Sequence, residues 1–146
     1  MLLKLSELAD ITMGQSPKSK FYNHNGNGLP FLQGCTTFGC FNPTIDTWTT
    51  AYNKIAKKGD ILFTVRAPVG RLNLANTDVA IGRGLASIKP KNINANYLYY
   101  LLYANSNKFS KNSTGTIFDS INKAQLQNVK LNVHNSSMQL YIVNTI

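Results

Sequence analysis

Acidic groups are scarce in this chain: 6 Asp and Glu stand against 15 Lys and Arg, and Glu7 is the sole glutamate. A metal-dependent nuclease gathers several carboxylates around its ions. Here Asp60 and Asp119 stand in turn contexts instead, so the sequence offers no such set. Cysteine and histidine are sparser still. Cys35 and Cys40 lie five positions apart in CTTFGC, which is neither a zinc-knuckle spacing nor a C-x-x-C redox pair. Neither His24 nor His134 completes a metal set, so no metal is expected and the cysteines are read as free thiols. Long apolar runs are missing as well: Tyr97 to Tyr103 falls far short of the roughly 20 residues a membrane span requires. The opening MLLKLSELAD places Glu7 and Asp10 before any adequate apolar stretch, so it does not read as a secretory signal. A cytoplasmic protein without membrane contact is expected.

What remains is a cationic chain of 146 residues with a net charge of +9, a length that suits one domain with its own core. A cationic domain gathers polyanions, because each Lys or Arg on a phosphate releases a condensed counterion. Nucleic acid is the first partner to consider. Charge alone also fits basic residues that merely keep a protein soluble.

Along the chain, LSELADITMG reads as a short helical turn running into a strand that stops at Gly14. QSPKSKFYNHNGNG, with Pro17, Gly26 and Gly28 among Asn and Ser, reads as an exposed loop carrying Lys18, Lys20, Phe21 and Tyr22. The clearest strand follows Gly59-Asp60, where ILFTV sets Ile61, Phe63 and Val65 on one face. Ala67-Pro68-Val69-Gly70 fits a type I turn, and RLNLA should return as the hairpin partner. In VAIGRGLASIKP, strict alternation would bury Arg83 beside Ile81 and Leu85, and a bulge at Gly82 or Gly84 would avoid that cost. Asn94 is placed to cap a helix running to about Asn107. Asn122 or Ser120 is placed to cap the turn containing Lys123. Ser136 or Ser137 is placed to cap a terminal helix whose Leu140, Ile142 and Val143 want a partner.

Leu5-Ser6-Glu7-Leu8, Gly14-Gln15-Ser16-Pro17, Leu29-Pro30-Phe31, KKGDILFTVRAPVGRLNLA, AIGRGLASIKP and GTIFDSINKAQLQNVKL occur in this order. Over nearly the whole chain they resemble the target-recognition domains of type I restriction-modification specificity subunits. The resemblance implies an α/β (α+β) fold: a curved, mostly antiparallel sheet with short helices, whose loops read a few base pairs of double-stranded DNA in the major groove. It implies partners too, namely adenine methyltransferase subunits and a translocating restriction nuclease. Family members pair two such domains through long antiparallel helices. This sequence carries one recognition domain, over residues 1–135, and a stub of the spacer helix over 136–146. Gln139, Leu140, Ile142 and Val143 of that stub are the expected partner interface. The family's usual proline-rich entry is replaced by His134-Asn135-Ser136-Ser137. A homodimer, or pairing with another specificity subunit, would complete the missing half.

DNA reading requires phosphate anchors together with planar donors that meet base edges. Arg66 and Arg71 flank the Ala-Pro-Val-Gly turn, and Arg83 sits between two glycines that permit close backbone approach. Arg66 and Arg83 lie in segments shared by the family while recognised sequences differ, so they are expected to bind phosphate or brace the fold, and base reading belongs elsewhere. The expected base readers are loop residues: Lys18, Lys20 and Tyr22, then Gln33, Thr36 and Thr37, then Thr47 to Tyr52. Each of them equally fits an ordinary solvated side chain. Gly115 and Thr116 offer backbone N–H groups for a phosphate beside Lys123.

Catalysis lacks its parts. A methyltransferase requires a glycine-rich cofactor loop and an Asn/Asp-Pro-Pro-aromatic motif, and Asn42-Pro43-Thr44 lacks both the second proline and the aromatic residue. The chain is therefore expected to have no catalytic site and no cofactor. Two other roles stay open: a half-length subunit serving mainly in assembly, and a nonspecific basic nucleic-acid binder.

Overall fold

The computed structural model describes residues 1–110 and 119–145. The expected fold class holds, and the sheet divides into three ladders. The elements run β1 (Leu2–Lys4), α1 (Leu5–Leu8), β2 (Ala9–Met13), β3 (Tyr22–Asn23), β4 (Leu29–Leu32), β5 (Trp48–Thr49) and β6 (Ile55–Ala56). They continue with β7 (Ile61–Thr64), β8 (Leu72–Leu74), β9 (Val79–Ile81), β10 (Leu85–Pro90), α2 (Ala95–Ala104), α3 (Asn107–Ser110), α4 (Lys123–Gln127), β11 (Lys130–Asn132) and α5 (Ser136–Thr145). One ladder joins β1 to β11, a second has the order β2-β10-β7-β8, and a third the order β3-β5-β4-β9-β6. Every pairing is antiparallel except β4 with β9, where Phe31 lies beside Ala80 and Leu32 beside Ile81. Among the described residues no helix is long and apolar enough to cross a membrane.

β7 is the spine of the molecule because its apolar residues alternate between two cores. Ile61, Phe63 and Val65 face the larger core with α2, α3 and α4, while Leu62 faces a smaller one with Leu32, Ala56, Val79, Ile81 and Leu85. The anticipated one-sided set is thus correct, and the reverse face is buried as well. Gly59, at φ +95, closes the turn into this strand. Asp60 behind it is buried and accepts from the Lys57 N–H (2.9 Å) and from Ser87 Oγ (2.8 Å), which ties the start of β7 to the middle of β10. Fully burying a side chain such as Ile61 or Leu62 contributes about 1.5–3 kcal/mol, and all four residues of β7 are buried.

RLNLA returns as β8, pairing Ile61 with Leu74 and Phe63 with Leu72. The connecting turn differs from the simple type I expectation. The Ala67–Pro68 peptide is cis, Gly70 lies at φ +95, and the turn is held by Thr64, whose hydroxyl donates to the Pro68 carbonyl (2.6 Å) and accepts from the Arg71 N–H (2.8 Å).

The segment around Arg83 is not a bulged strand. β9 ends at Ile81 in one sheet and β10 begins at Leu85 in another, so Gly82-Arg83-Gly84 is the crossing between them and Arg83 is exposed. Changing sheets frees the arginine from the alternation that would have buried it.

α2 is capped as anticipated, with Asn94 Oδ1 accepting from the Tyr97 N–H at 3.0 Å, a contact that stabilises a helix by about 1 kcal/mol. The helix stops at Ala104 rather than Asn107, where the Asn105 amide donates to the Leu101 carbonyl (2.8 Å). The chain then turns to bury Phe109 edge-on against Phe63, with centroids 5.1 Å apart. Asn122, rather than Ser120, caps α4 in a reciprocal box with Gln125 (2.8 and 2.9 Å). At the start of α5 the Asn135 side chain accepts from the Met138 N–H at 2.8 Å, and the side chains of Ser136 and Ser137, the anticipated caps, lie outside the described residues.

Candidate nucleic-acid interface

Three loop segments meet where the two larger sheets join. The Gly14 N–H donates to the Leu85 carbonyl (2.8 Å), Gln15 N–H to Ile81 (3.0 Å), Gly82 N–H to Leu32 (2.8 Å) and Gly84 N–H to Gln33 (3.1 Å). Glycine is required at this crossing: a Cβ on Gly14 would lie 1.9 Å from the Gly82 carbonyl oxygen, and one on Gly84 2.6 Å from the Gln33 carbonyl oxygen. The glycines beside Arg83 therefore admit neighbouring protein backbone.

That crossing aligns several of the anticipated residues. The Arg83 N–H donates to Ser16 Oγ (3.1 Å), and Ser16 Oγ donates to Gln33 Oε1 (2.9 Å). On the other side, the Val65 N–H donates to the Gly84 carbonyl (3.0 Å), so Arg66 and Arg83 each stand one residue beyond this bond. Arg66 bridges to Ser120, two residues before the Asn122 cap of α4 and three before Lys123. A continuous backbone path thus links Lys123, Arg66, Arg83 and Gln33. Arg71 lies across the turn, opposite Thr64, at the edge strand β8.

All of these cations are exposed. Among the described residues the ion pairs are Lys57–Asp78 (3.6 Å) and Lys91–Asp10 (3.3 Å), so Arg66, Arg71, Arg83, Lys18, Lys20 and Lys123 keep their charge unpaired. The Asp78 carboxyl is held below its ordinary value of 3.8, first by the Lys58 N–H it accepts and then by Lys57. Charge on this rim is therefore available to a polyanion.

Two clefts open beside it. One, of about 270 Å³, is lined by Tyr22, Phe31, Gln33, Thr36, Thr37, Asp46 and Thr47 among others, and so gathers loop residues from three separate stretches. The other, of about 370 Å³, is lined by Gln15, Ser16, Lys18, Lys20, Phe21 and Tyr52 among others. Lys20 Nζ lies 5.1 Å from the Phe21 ring centroid.

Not every anticipated reader is free to read. The Tyr22 hydroxyl donates to the Pro17 carbonyl (2.8 Å) and its ring lies 4.7 Å from Phe31, so it forms a wall of the cleft and braces the first loop. Thr37 Oγ1 is shielded from solvent without a hydrogen-bond partner, whereas Gln33 and Thr36 are exposed. Thr116 and Gly115 lie outside the described residues.

A model of the type I restriction modification DNA specificity domain matches residues 1–146. The chain belongs to that family.

Relatives of the specificity domain agree with this. A Methanocaldococcus jannaschii protein named as a type I restriction enzyme MjaX specificity subunit is 43% identical over 124 residues, covering 83% of this chain and 29% of the relative. The HsdS subunit from Thermoanaerobacter tengcongensis superposes with a TM-score of 0.87 at 40% identity, covering 99% of this chain and 35% of that one. A chain from a structure concerned with complex assembly and conformational transition of the type I R-M system gives 0.89 at 41%, covering 99% and 36%. This chain therefore spans about a third of the length of these relatives.

Within the specificity domain, two participants escaped the sequence reading. Ser16, which links Gln33 to Arg83, looks like any loop serine, although Gln15-Ser16-Pro17 forms part of the family pattern. Asp46 entered the cleft unannounced, its one signal being an acid beside the loop predicted to touch DNA. At the other end of the chain, Ile142 and Val143 are half-buried against the domain's own larger core, and Gln139 donates to the His134 carbonyl (2.7 Å). The side chain of Leu140 lies outside the described residues.

Proposed function

We propose that this chain is a DNA target-recognition domain. It reads a short sequence of double-stranded DNA and acts in the cytoplasm as the address reader for adenine methyltransferase subunits and a translocating restriction nuclease, with no catalytic site of its own. The observation that carries this reading is the unpaired cationic rim of Arg66 and Arg83, joined through Ser16 to Gln33 at the mouth of a cleft lined by the anticipated loop residues. Phosphate contacts fix register, and planar donors beside them meet base edges. In this reading Arg66, Arg83, Lys18, Lys20 and Lys123 anchor phosphates, Gln33 and Thr36 face bases, and Arg71 serves the flank.

We further assign residues 136–146 to the beginning of the spacer helix. Because Ile142 and Val143 lean on the core, the partner contact falls mainly to the exposed positions of that helix, Met138 and Asn144, with the half-buried Gln139 beside them. Pairing with a second copy or with another specificity subunit would supply the second recognition domain.

Co-expression with a methyltransferase subunit of the same system, followed by genome-wide mapping of methylated adenines, tests the assignment. A single recurring motif is expected. Scattered methylation would indicate a nonspecific basic binder instead, and absent methylation would overturn the role in addressing.

A further inference from the structure

Among the described residues, two exposed acids, Asp46 and Asp119, make no side-chain contact that anchors a distant part of the fold, and of these Asp46 is the one that lines the cleft. The acids Glu7, Asp10, Asp60 and Asp78 are each committed to holding the fold: Glu7 accepts from the Lys4 N–H (2.7 Å), Asp10 pairs with Lys91, Asp60 is buried under Lys57 and Ser87, and Asp78 receives Lys57 and the Lys58 N–H. Asp46 does none of this. Its side chain is exposed and lines the same cleft as Gln33 and Thr36, and among the described residues its carboxylate accepts from Thr47 Oγ1 alone (2.8 Å, at Oδ1). Its backbone is nevertheless fixed, because its carbonyl accepts from His24 Nδ1 (2.8 Å) and the Phe31 N–H donates to the Thr47 carbonyl next door (2.9 Å). Oδ2 is therefore presented from a rigid position.

A carboxylate accepts hydrogen bonds and cannot donate them. On a face meant for phosphates it repels the ligand unless it meets a donor, and the donors in the major groove are the exocyclic amino groups of cytosine (N4) and adenine (N6). Guanine O6 and thymine O4 present acceptors there and would face Asp46 acceptor to acceptor. Gln33 complements it: Ser16 occupies Oε1, which leaves Nε2 to donate to an acceptor on a neighbouring base edge.

We propose that Asp46 is a specificity-determining residue which accepts a hydrogen bond from one exocyclic amino group, cytosine N4 or adenine N6, in the DNA bound at this cleft. The inference rests on the DNA-reading role proposed above. It makes Asp46 a selective element in two senses, rewarding an amino group and rejecting a carbonyl at one position.

The test selects duplexes from a randomised pool with the full chain in native form and as Asp46→Asn and Asp46→Ala. Native protein should recover a motif with one position restricted to cytosine or adenine, and the recovered letter distinguishes the two sources. Asp46→Ala should lose about tenfold of the preference at that position. Asp46→Asn, whose amide both accepts and donates, should lose the rejection of guanine and thymine there, and both should keep the preference elsewhere and bind random duplexes more tightly once the repulsion is gone. Unchanged melting temperatures in the exposed-site variants would show that the fold is intact. A native motif that both variants reproduce at every position, whatever their overall affinity, overturns the role of Asp46 alone. A native chain that recovers no motif overturns the DNA-reading proposal and this one with it.

Discussion

Removing Arg66 and Arg83 together perturbs the interface without touching the core, because both side chains are exposed and unpaired among the described residues. With Lys18, Lys20 and Lys123 they make five cations on the proposed rim. If each neutralises one phosphate, log affinity falls with log salt at a slope of about −4.5. Between about 50 and 200 mM salt, affinity for any duplex should then drop roughly 500-fold. The double variant R66A/R83A keeps three contacts, so its slope should relax to about −2.7 and its loss over the same range to roughly 40-fold. Fluorescence anisotropy with a labelled duplex, titrated at several salt concentrations, reads both slopes, and a thermal melt of each protein checks the fold. A double variant whose slope stays at the native value would refute the assignment of these arginines to phosphates. A native slope near zero would refute the cationic rim as the binding face.

Gly14→Ala should destabilise the domain by about 3 kcal/mol or more, since its Cβ would strike the Gly82 carbonyl, whereas Gly34→Ala, with open space around it, should melt within a few tenths of a kcal/mol of native. Asn122→Ala removes one half of the α4 capping box and should cost about 1 kcal/mol in denaturant unfolding, and Asn122→Ser should restore much of it. Burial, followed by Tyr100 and Tyr103 nearby, raises the Tyr99 hydroxyl above its ordinary 10.0. A group whose folded value is raised contributes stability below its unfolded value and loses it as pH climbs, so unfolding free energy should decline above pH 10 and Tyr99→Phe should lessen the decline.

Local chemistry made much of the scaffold readable. The ILFTV run, the Gly59-Asp60 lead-in and the Asn94 cap are decided within a few residues, by β-branching, left-handed backbone and a side chain reaching its own helix. What escaped was decided at a distance. Nothing near Gly82-Arg83-Gly84 says that β9 joins β4 in parallel while β10 joins β2 and β7, and an alternating pattern reads as one bulged strand. The site divides in the same way. Loop composition singled out Lys18, Lys20, Gln33 and Thr36, and the fold brings Gln33 and Thr36 into one cleft. Ser16 was invisible because the N–H it accepts comes from 67 residues away. Loop composition does not reveal that packing hides the Thr37 hydroxyl or that the Tyr22 hydroxyl meets Pro17. Asn135, which the sequence reading passed over, reaches the Met138 N–H at the start of α5.

Competition between one selected duplex and a shuffled duplex of equal length and composition, at fixed salt, addresses the central claim most directly. A rim that anchors phosphates beside a cleft that reads bases predicts at least about a thousandfold preference for the selected sequence. Equal displacement by both duplexes would contradict it.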